Sequence, residues 1–160
     1  MHRIKKISCL YASLVSLKNS KEIIKSNCLP DTDEVDFDAL GGAFVKVNDG
    51  ILLTIGAPTH MSEIIGKLSQ LNTSIFGKIL FIKNEAFTEN EDTDAKYHIY
   101  SSGHRNPQGL VVKNNIIFSL EHGPQGGDEL NIIEEGNNYG WPIASYGTRY
   151  YDGKSYFKSH

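Results

Sequence analysis

Three observations predict an all-β, turn-rich fold for this chain of 160 residues. Short apolar runs of strand length are separated by glycine, asparagine and aspartate clusters along most of the chain. Two apolar hairpins recur at an offset of 65 to 67 residues. Composition agrees, because 15 glycines with 39% hydrophobic and 22% charged residues describe a globular protein able to bury a sizeable core.

At the N-terminus, His2, Arg3, Lys5 and Lys6 precede an apolar stretch over residues 7–17, the outline of a signal peptide. Cys9, Tyr11 and three serines dilute it. The alternation of Leu10, Ala12 and Leu14 predicts instead a half-buried strand at the edge of the domain. Cys9 and Cys28 form neither a CxxC pair nor a ligand set with a nearby histidine. Free thiols are the plainer reading, and a disulfide in an oxidising compartment stays open.

Residues 44–47 and 51–55 flank Asn48-Asp49-Gly50 and predict a hairpin, with Asp-Gly expected to supply the positive φ of a tight turn. Ile64, Ile65, Leu68 and Leu71 fall at helical spacing and predict a short helix over 62–71. Residues 77–83 and 97–101 read as strands. Leu110-Val111-Val112, the turn Lys113-Asn114-Asn115 and residues 116–120 form the second hairpin. It overlies the first, and each unit ends in a glycine-proline loop, Gly56-Ala57-Pro58 or Gly123-Pro124. A propeller blade takes roughly 40–50 residues, so one blade plus the long loops at 57–74 and 84–96 fills the offset. The prediction is a β-propeller fragment of about three blades with one short helix, in one partial domain over 1–160.

Net charge is −3, and lysines and arginines are scattered with no basic run. Nucleic acid is therefore not expected as a partner. No apolar run reaches the roughly 18–20 residues that span a bilayer. Oligomeric state is not readable from the sequence.

Chemistry concentrates in residues 102–147. Gly103-His104-Arg105-Asn106-Pro107-Gln108-Gly109 and Glu121-His122-Gly123-Pro124-Gln125-Gly126-Gly127-Asp128-Glu129 bracket the second hairpin, so both polar clusters can face a common cavity. The planar fork of Arg105 suits a carboxylate, with Asn106 and Gln108 as neighbouring hydrogen-bonding groups. Gly123 and Pro124 can turn carbonyl oxygens outward, and calcium favours such hard oxygen ligands. Asp128 and Glu129 lack EF-hand spacing and read as loop caps and solvated charge. Asn138-Tyr139-Gly140-Trp141-Pro142 is a turn followed by the only tryptophan, read as packing between blades.

These words, in this order and spacing, closely resemble the soluble glucose/sorbosone and aldose sugar dehydrogenases that use pyrroloquinoline quinone. The resemblance is dense over 102–147, its best-matching core runs over 37–147, and it implies a six-bladed ring of which this chain is a part. It further implies that Arg105 and Asn106 contact the quinone, which carries several carboxylates. By the same resemblance, the main-chain oxygens of Gly123 and Pro124 hold a calcium ion bridging to the quinone. The implied partners are a small-molecule sugar and an electron acceptor. The implied location is periplasmic or secreted.

Two positions depart from the family, Ala39 where it has a histidine and Ala43 where it often has an arginine after the glycines. Sugar oxidation by this cofactor needs a base to take the hydroxyl proton as hydride leaves. In the family that base is a histidine upstream of a glycine-led strand, and the matching segment here is Asp38-Ala39-Leu40-Gly41-Gly42-Ala43. The histidine position is Ala39, and no histidine occurs between His2 and His60. His122, Asp38 and His104 are the substitute candidates, with His60 weaker. Two functions are expected on this basis. One is a quinone-dependent sugar dehydrogenase-like oxidoreductase in full-length form, of which this chain alone is inactive. The other is a non-catalytic propeller, a binding or interaction module that has lost the base.

Overall fold

The computed structural model describes residues 8–30, 35–36, 39–60, 67–88 and 96–156. The N-terminal part forms short antiparallel ribbons: β1 (Cys9–Leu10) with β4 (Leu29–Pro30), β2 (Ser13–Val15) with β3 (Glu22–Lys25), and β5 (Val35–Asp36) with β8 (Thr59–His60). The expected alternation holds only in part: Ala12 and Leu14 pack against the core while Tyr11 and Val15 are exposed, but Leu10 is exposed too, because it lies in a separate ribbon, β1, and not in one continuous strand with Leu14.

Cys9 and Cys28 are joined in a disulfide, which corrects the free-thiol reading. The physical reason is the pairing of Cys9 with Pro30 and of Leu10 with Leu29, which brings the two cysteine Cα atoms to 5.2 Å. A separation of 19 residues in sequence carries no trace of that contact.

The main sheet is an up-and-down unit of four strands. β6 (Gly41–Val47) pairs with β7 (Gly50–Ile55), β7 with β9 (Lys78–Lys83), and β9 with β10 (Tyr97–Ser102), every pair antiparallel. Both strands of the first predicted hairpin and both further strands lie where the apolar runs place them. β9 reads Lys-Ile-Leu-Phe-Ile-Lys because it is covered on both faces. Leu80 and Ile82 enter a cluster with Ile23, Ile24, Leu29, Ile55 and Phe76, while Ile79 turns the opposite way toward Leu52 and Ile133. Leu80 is fully buried, and Leu80→Ala is expected to cost about 2–5 kcal/mol in urea unfolding. A cost below ~1 kcal/mol would mean that this face is not packed.

The second sheet has the order β11 (Pro107–Lys113), β12 (Ile116–Glu121), β13 (Glu129–Ile133). One face, with Leu110, Ile117 and Ile133, packs toward the first sheet. Val111, Leu120, Leu130 and Ile132 on the other face are exposed.

The two hairpin turns differ in a way the sequence reading did not anticipate. Asn114 and Asn115 both have positive φ, 52° and 61°, as a two-residue turn between paired Lys113 and Ile116 requires. Gly50 has no positive φ and lies inside β7, paired with both Val47 and Lys83. Its glycine is needed for closeness, because a Cβ there would strike the carbonyl oxygen of Ile82. Of the helix expected over 62–71, residues 62–66 lie outside the described residues. The remainder holds one 3-10 turn, Leu68–Gln70.

Candidate functional site

The candidate site forms where the first sheet hands the chain to the second. β10 ends at Ser102, and Gly103 takes φ 73° so that the chain can turn beside Asn138 and Gly140. The following residues are fixed from both sheets. His104 donates its N–H to the Gly77 carbonyl, and Ala57 donates its N–H to the Arg105 carbonyl at 2.7 Å. The buried Asn106 accepts the Gly41 N–H on Oδ1 at 3.1 Å, and its own carbonyl accepts the His122 N–H. Thr54 Oγ1 donates to the Pro107 carbonyl at 2.7 Å. Asn106 and Thr54 therefore tie β6 and β7 of the first sheet to the start of β11 in the second.

Beneath this corner lies a buried lysine. Lys78 is fully buried, and its ammonium donates to the carbonyls of Leu68, Ser69 and Phe76 at 3.0, 2.7 and 3.0 Å. Burial pulls it down to about 8, which still leaves it protonated at neutral pH. Ser69 in turn accepts the Gly103 N–H on its carbonyl and donates its hydroxyl to the Trp141 carbonyl at 2.6 Å. The loop of the first sheet thus holds both the His104 turn and the tryptophan turn.

His104 is fully buried and stacks on Tyr139 at 4.8 Å. Its Nδ1 meets Glu121 Oε1 at 2.5 Å and its Nε2 meets Ser101 Oγ at 2.8 Å. An ionised Glu121 carboxylate only accepts, which places a proton on Nδ1 toward it, while Nε2 shares its hydrogen bond with the Ser101 hydroxyl. Glu121 also accepts the Arg105 N–H on Oε2 at 3.1 Å and the Asn131 amide on Oε1 at 3.2 Å.

Arg105 reaches into a narrow hollow that it lines with Glu121, His122, Gly123, Pro124 and Trp141. Its Nη1 donates to the His122 carbonyl at 2.9 Å, and its guanidinium lies 5.4 Å from the Trp141 ring centre. Its Nε is a buried donor with no partner among the described residues. On the facing loop, Gly123 donates its N–H to Asp128 Oδ1 at 3.0 Å, and Pro124 accepts the Gly127 N–H at 2.8 Å. Among the described residues no backbone N–H is donated to the Gly123 oxygen. Close packing of this loop excludes a side chain at Gly123, where a Cβ would strike the Gly127 carbonyl.

The structure thus brings Arg105, Gly123 and Pro124 to one hollow. Gln108 is exposed and lines a neighbouring cavity of about 590 Å³ with Asp128 and with Glu121, His122 and Glu129, which also line the hollow. His122 is exposed, its Nδ1 3.6 Å from Asp128 Oδ1. His104, offered as a base from sequence, has both ring nitrogens engaged in the interior and faces no cavity. Ala39 is buried just before β6, two residues from the Gly41 that Asn106 holds. Asp38 lies outside the described residues. His60 lies in β8, where its backbone pairs with Val35 of β5. Sequence reasoning gave no site role to Lys78 and Ser101, which it placed only in strands, or to Glu121, which it named only as the start of the second polar cluster. Their signal was a charged or polar residue at the end of an otherwise apolar strand, as in Lys78-Ile79-Leu80-Phe81-Ile82 and Ile116-Ile117-Phe118-Ser119-Leu120-Glu121.

Comparison with known proteins gives consistent relatives. A family model described as Glucose / Sorbosone dehydrogenase matches residues 10–160. The aldose sugar dehydrogenase YliI of Escherichia coli is 47% identical over 62 residues, which is 38% of this chain and 17% of that protein. Quinoprotein glucose dehydrogenase B of Acinetobacter calcoaceticus is 53% identical over 51 residues, 31% of this chain and 11% of that protein. Among solved structures, the apo form of the soluble aldose sugar dehydrogenase of Escherichia coli superposes with TM-score 0.63 at 24% identity, covering 91% of this chain and 43% of that one. That likeness speaks for the fold. The pyrroloquinoline-quinone-bound aldose sugar dehydrogenase of Streptomyces coelicolor superposes with TM-score 0.56 at 26% identity, covering 93% and 43%. The chain spans less than half the length of either structure. Its antiparallel sheets have the β-propeller fold of these dehydrogenases. No helix among the described residues is long and apolar enough to cross a membrane. By the match over residues 10–160, this chain belongs to the glucose/sorbosone dehydrogenase family.

Proposed function

We propose that this chain carries the cofactor-holding corner of a quinone-dependent sugar dehydrogenase, with Arg105 binding a carboxylate of pyrroloquinoline quinone. The observation that supports it most is the buried, unpartnered Nε of Arg105. A guanidinium with one nitrogen committed to His122 and another left without an acceptor suits an anionic ligand. Asn106 acts as the strut that sets the loop. Gln108, lining the neighbouring cavity, is assigned a contact at the margin of the cofactor. The Gly123 oxygen and the second lone pair of the Pro124 oxygen are the calcium ligands in this reading, a donor set that fits a hard cation. When bound, the quinone supplies a hydride acceptor for an aldose or related alcohol. The chain supplies charge complementarity, a rigid loop and a dry wall formed by Trp141.

Turnover in the whole protein requires a proton acceptor other than residue 39, since the Ala39 methyl accepts no proton. Of the substitutes, His122 is the exposed imidazole beside the hollow, and Asp38 adjoins the vacant position. The chain by itself is then inactive. Ala39 is also the observation that favours a second reading, a propeller that binds ligand without oxidising it. The Cys9–Cys28 disulfide supports an oxidising location, periplasmic or secreted.

Arg105→Ala is expected to weaken calcium-dependent binding of pyrroloquinoline quinone by roughly 10- to 100-fold, followed by the cofactor's absorbance. Unchanged affinity would remove Arg105 from the site. Adding aldoses and an electron acceptor then separates the two readings, since reduction of the acceptor occurs only if a base is present.

A further inference from the structure

We propose that Glu121, held by His104 and Ser101, is a positioning residue that aims Arg105 into the hollow. The proposal rests on the reading that Arg105 binds the quinone. Both polar groups of the Arg105 backbone are pinned, the N–H by Glu121 Oε2 at 3.1 Å and the carbonyl by Ala57 at 2.7 Å. With the backbone clamped at both ends, the side chain leaves the loop in one direction, over Trp141. Glu121 itself is buried and fixed through its other oxygen by His104 Nδ1 and Asn131 Nδ2. His104 is fixed beyond that by Ser101 and by the Tyr139 ring. Ser101, His104 and Glu121 are thus linked in the order of an acid-oriented imidazole. All three are buried, Ser101 and His104 line neither cavity of the site, and both oxygens of Glu121 are already held, one by His104 and Asn131 and the other by Arg105, so the linkage serves geometry.

A carboxylate is required at this position. Three N–H donors converge on Glu121, from His104, Arg105 and Asn131. Glutamine would offer a single acceptor oxygen and turn its own N–H₂ toward one of those donors. Glu121→Gln therefore releases either the imidazole or the Arg105 N–H, and the guanidinium loses its fixed place over Trp141.

The test uses Trp141, the only tryptophan of the chain, as a reporter that needs no cofactor. Glu121→Gln, Arg105→Ala and the double variant are compared by Trp141 emission, by thermal unfolding and by calcium-dependent binding of pyrroloquinoline quinone. Glu121→Gln is expected to shift the emission in the same direction as Arg105→Ala and to weaken quinone binding about tenfold. In the Arg105→Ala background it should add nothing to either readout, the signature of a residue acting through another. A folded Glu121→Gln protein with wild-type emission overturns the proposal, as does a loss of affinity that adds in full to that of Arg105→Ala. If Arg105→Ala leaves quinone binding unchanged while Glu121→Gln still moves Trp141 emission, the positioning stands and the cofactor reading falls. Should Glu121→Gln fail to fold, Ser101→Ala removes only the outermost hydrogen bond. A smaller shift of the same sign supports the linkage, and wild-type emission in that variant counts against it.

Discussion

Lys78→Met is expected to destabilise the protein by roughly 2–4 kcal/mol at neutral pH, and the loss is expected to grow between pH 8 and pH 10. Removing the ammonium leaves the Phe76 carbonyl with no donor among the described residues, while Leu68 and Ser69 keep the N–H groups of Leu71 and Gly103. Only one acceptor is fully orphaned, which sets the modest size of the effect. The sign of the pH dependence follows from linkage. The folded-state value of Lys78 is lowered from 10.5 to about 8 by burial. Below about 8 both folded and unfolded chains hold this proton, and the cost of burying the charge is constant. Between there and 10.5 the unfolded chain holds a proton that the folded chain has released, so stability rises with pH by up to about 3 kcal/mol. Methionine abolishes that rise.

Tyr100, Tyr139 and Tyr156 work in the opposite sense at higher pH. Burial raises each above the usual 10.0, so their contribution is complete below that value and is lost as pH rises through the folded-state values. The window from about 8 to 10 therefore isolates Lys78. Urea unfolding of both proteins at pH 7 and pH 10 measures it, and a gap that narrows at pH 10 would contradict a buried, desolvated ammonium.

Gly123→Ala is expected to open the loop that carries the proposed calcium ligands. The new methyl would occupy the place of the Gly127 carbonyl, and relief requires separating Gly123 from Gly127. That separation breaks the Gly127 N–H bond to Pro124 and the Gly123 N–H bond to Asp128. The expected cost is about 1–3 kcal/mol in unfolding, with at least a tenfold loss of calcium-dependent quinone affinity. Gly126→Ala is the matched control. A Cβ at Gly126 meets nothing within 4 Å, but φ is 74°, so its cost is about 1 kcal/mol of backbone strain without a collision. Equal losses of affinity in the two variants would show that loop strain, and not the spacing of the Gly123–Pro124 oxygens, controls binding.

Local pattern determined the strands of this protein. Apolar runs with turn residues between them specify β6, β7, β9, β11 and β12, because side-chain alternation and turn chemistry act over neighbouring residues and are legible one after another. The word order around His104, Glu121 and Trp141 likewise carried the family, since motifs are local strings. What those residues touch was decided only by the tertiary structure. Cys9 meets Cys28 because two ribbon strands pair across the chain, and Gly50 is a glycine because Ile82 passes close to it. Arg105 and Gly123 share a hollow because β11 and β12 end side by side. His104, a plausible base as a loop residue, became an interior strut once Ser101 of β10 and Glu121 of β12, strands of different sheets, closed on it. Hydrogen-bond satisfaction inside the protein depends on partners far away in sequence. That is why the polar residues of the site could be named in advance and their roles could not.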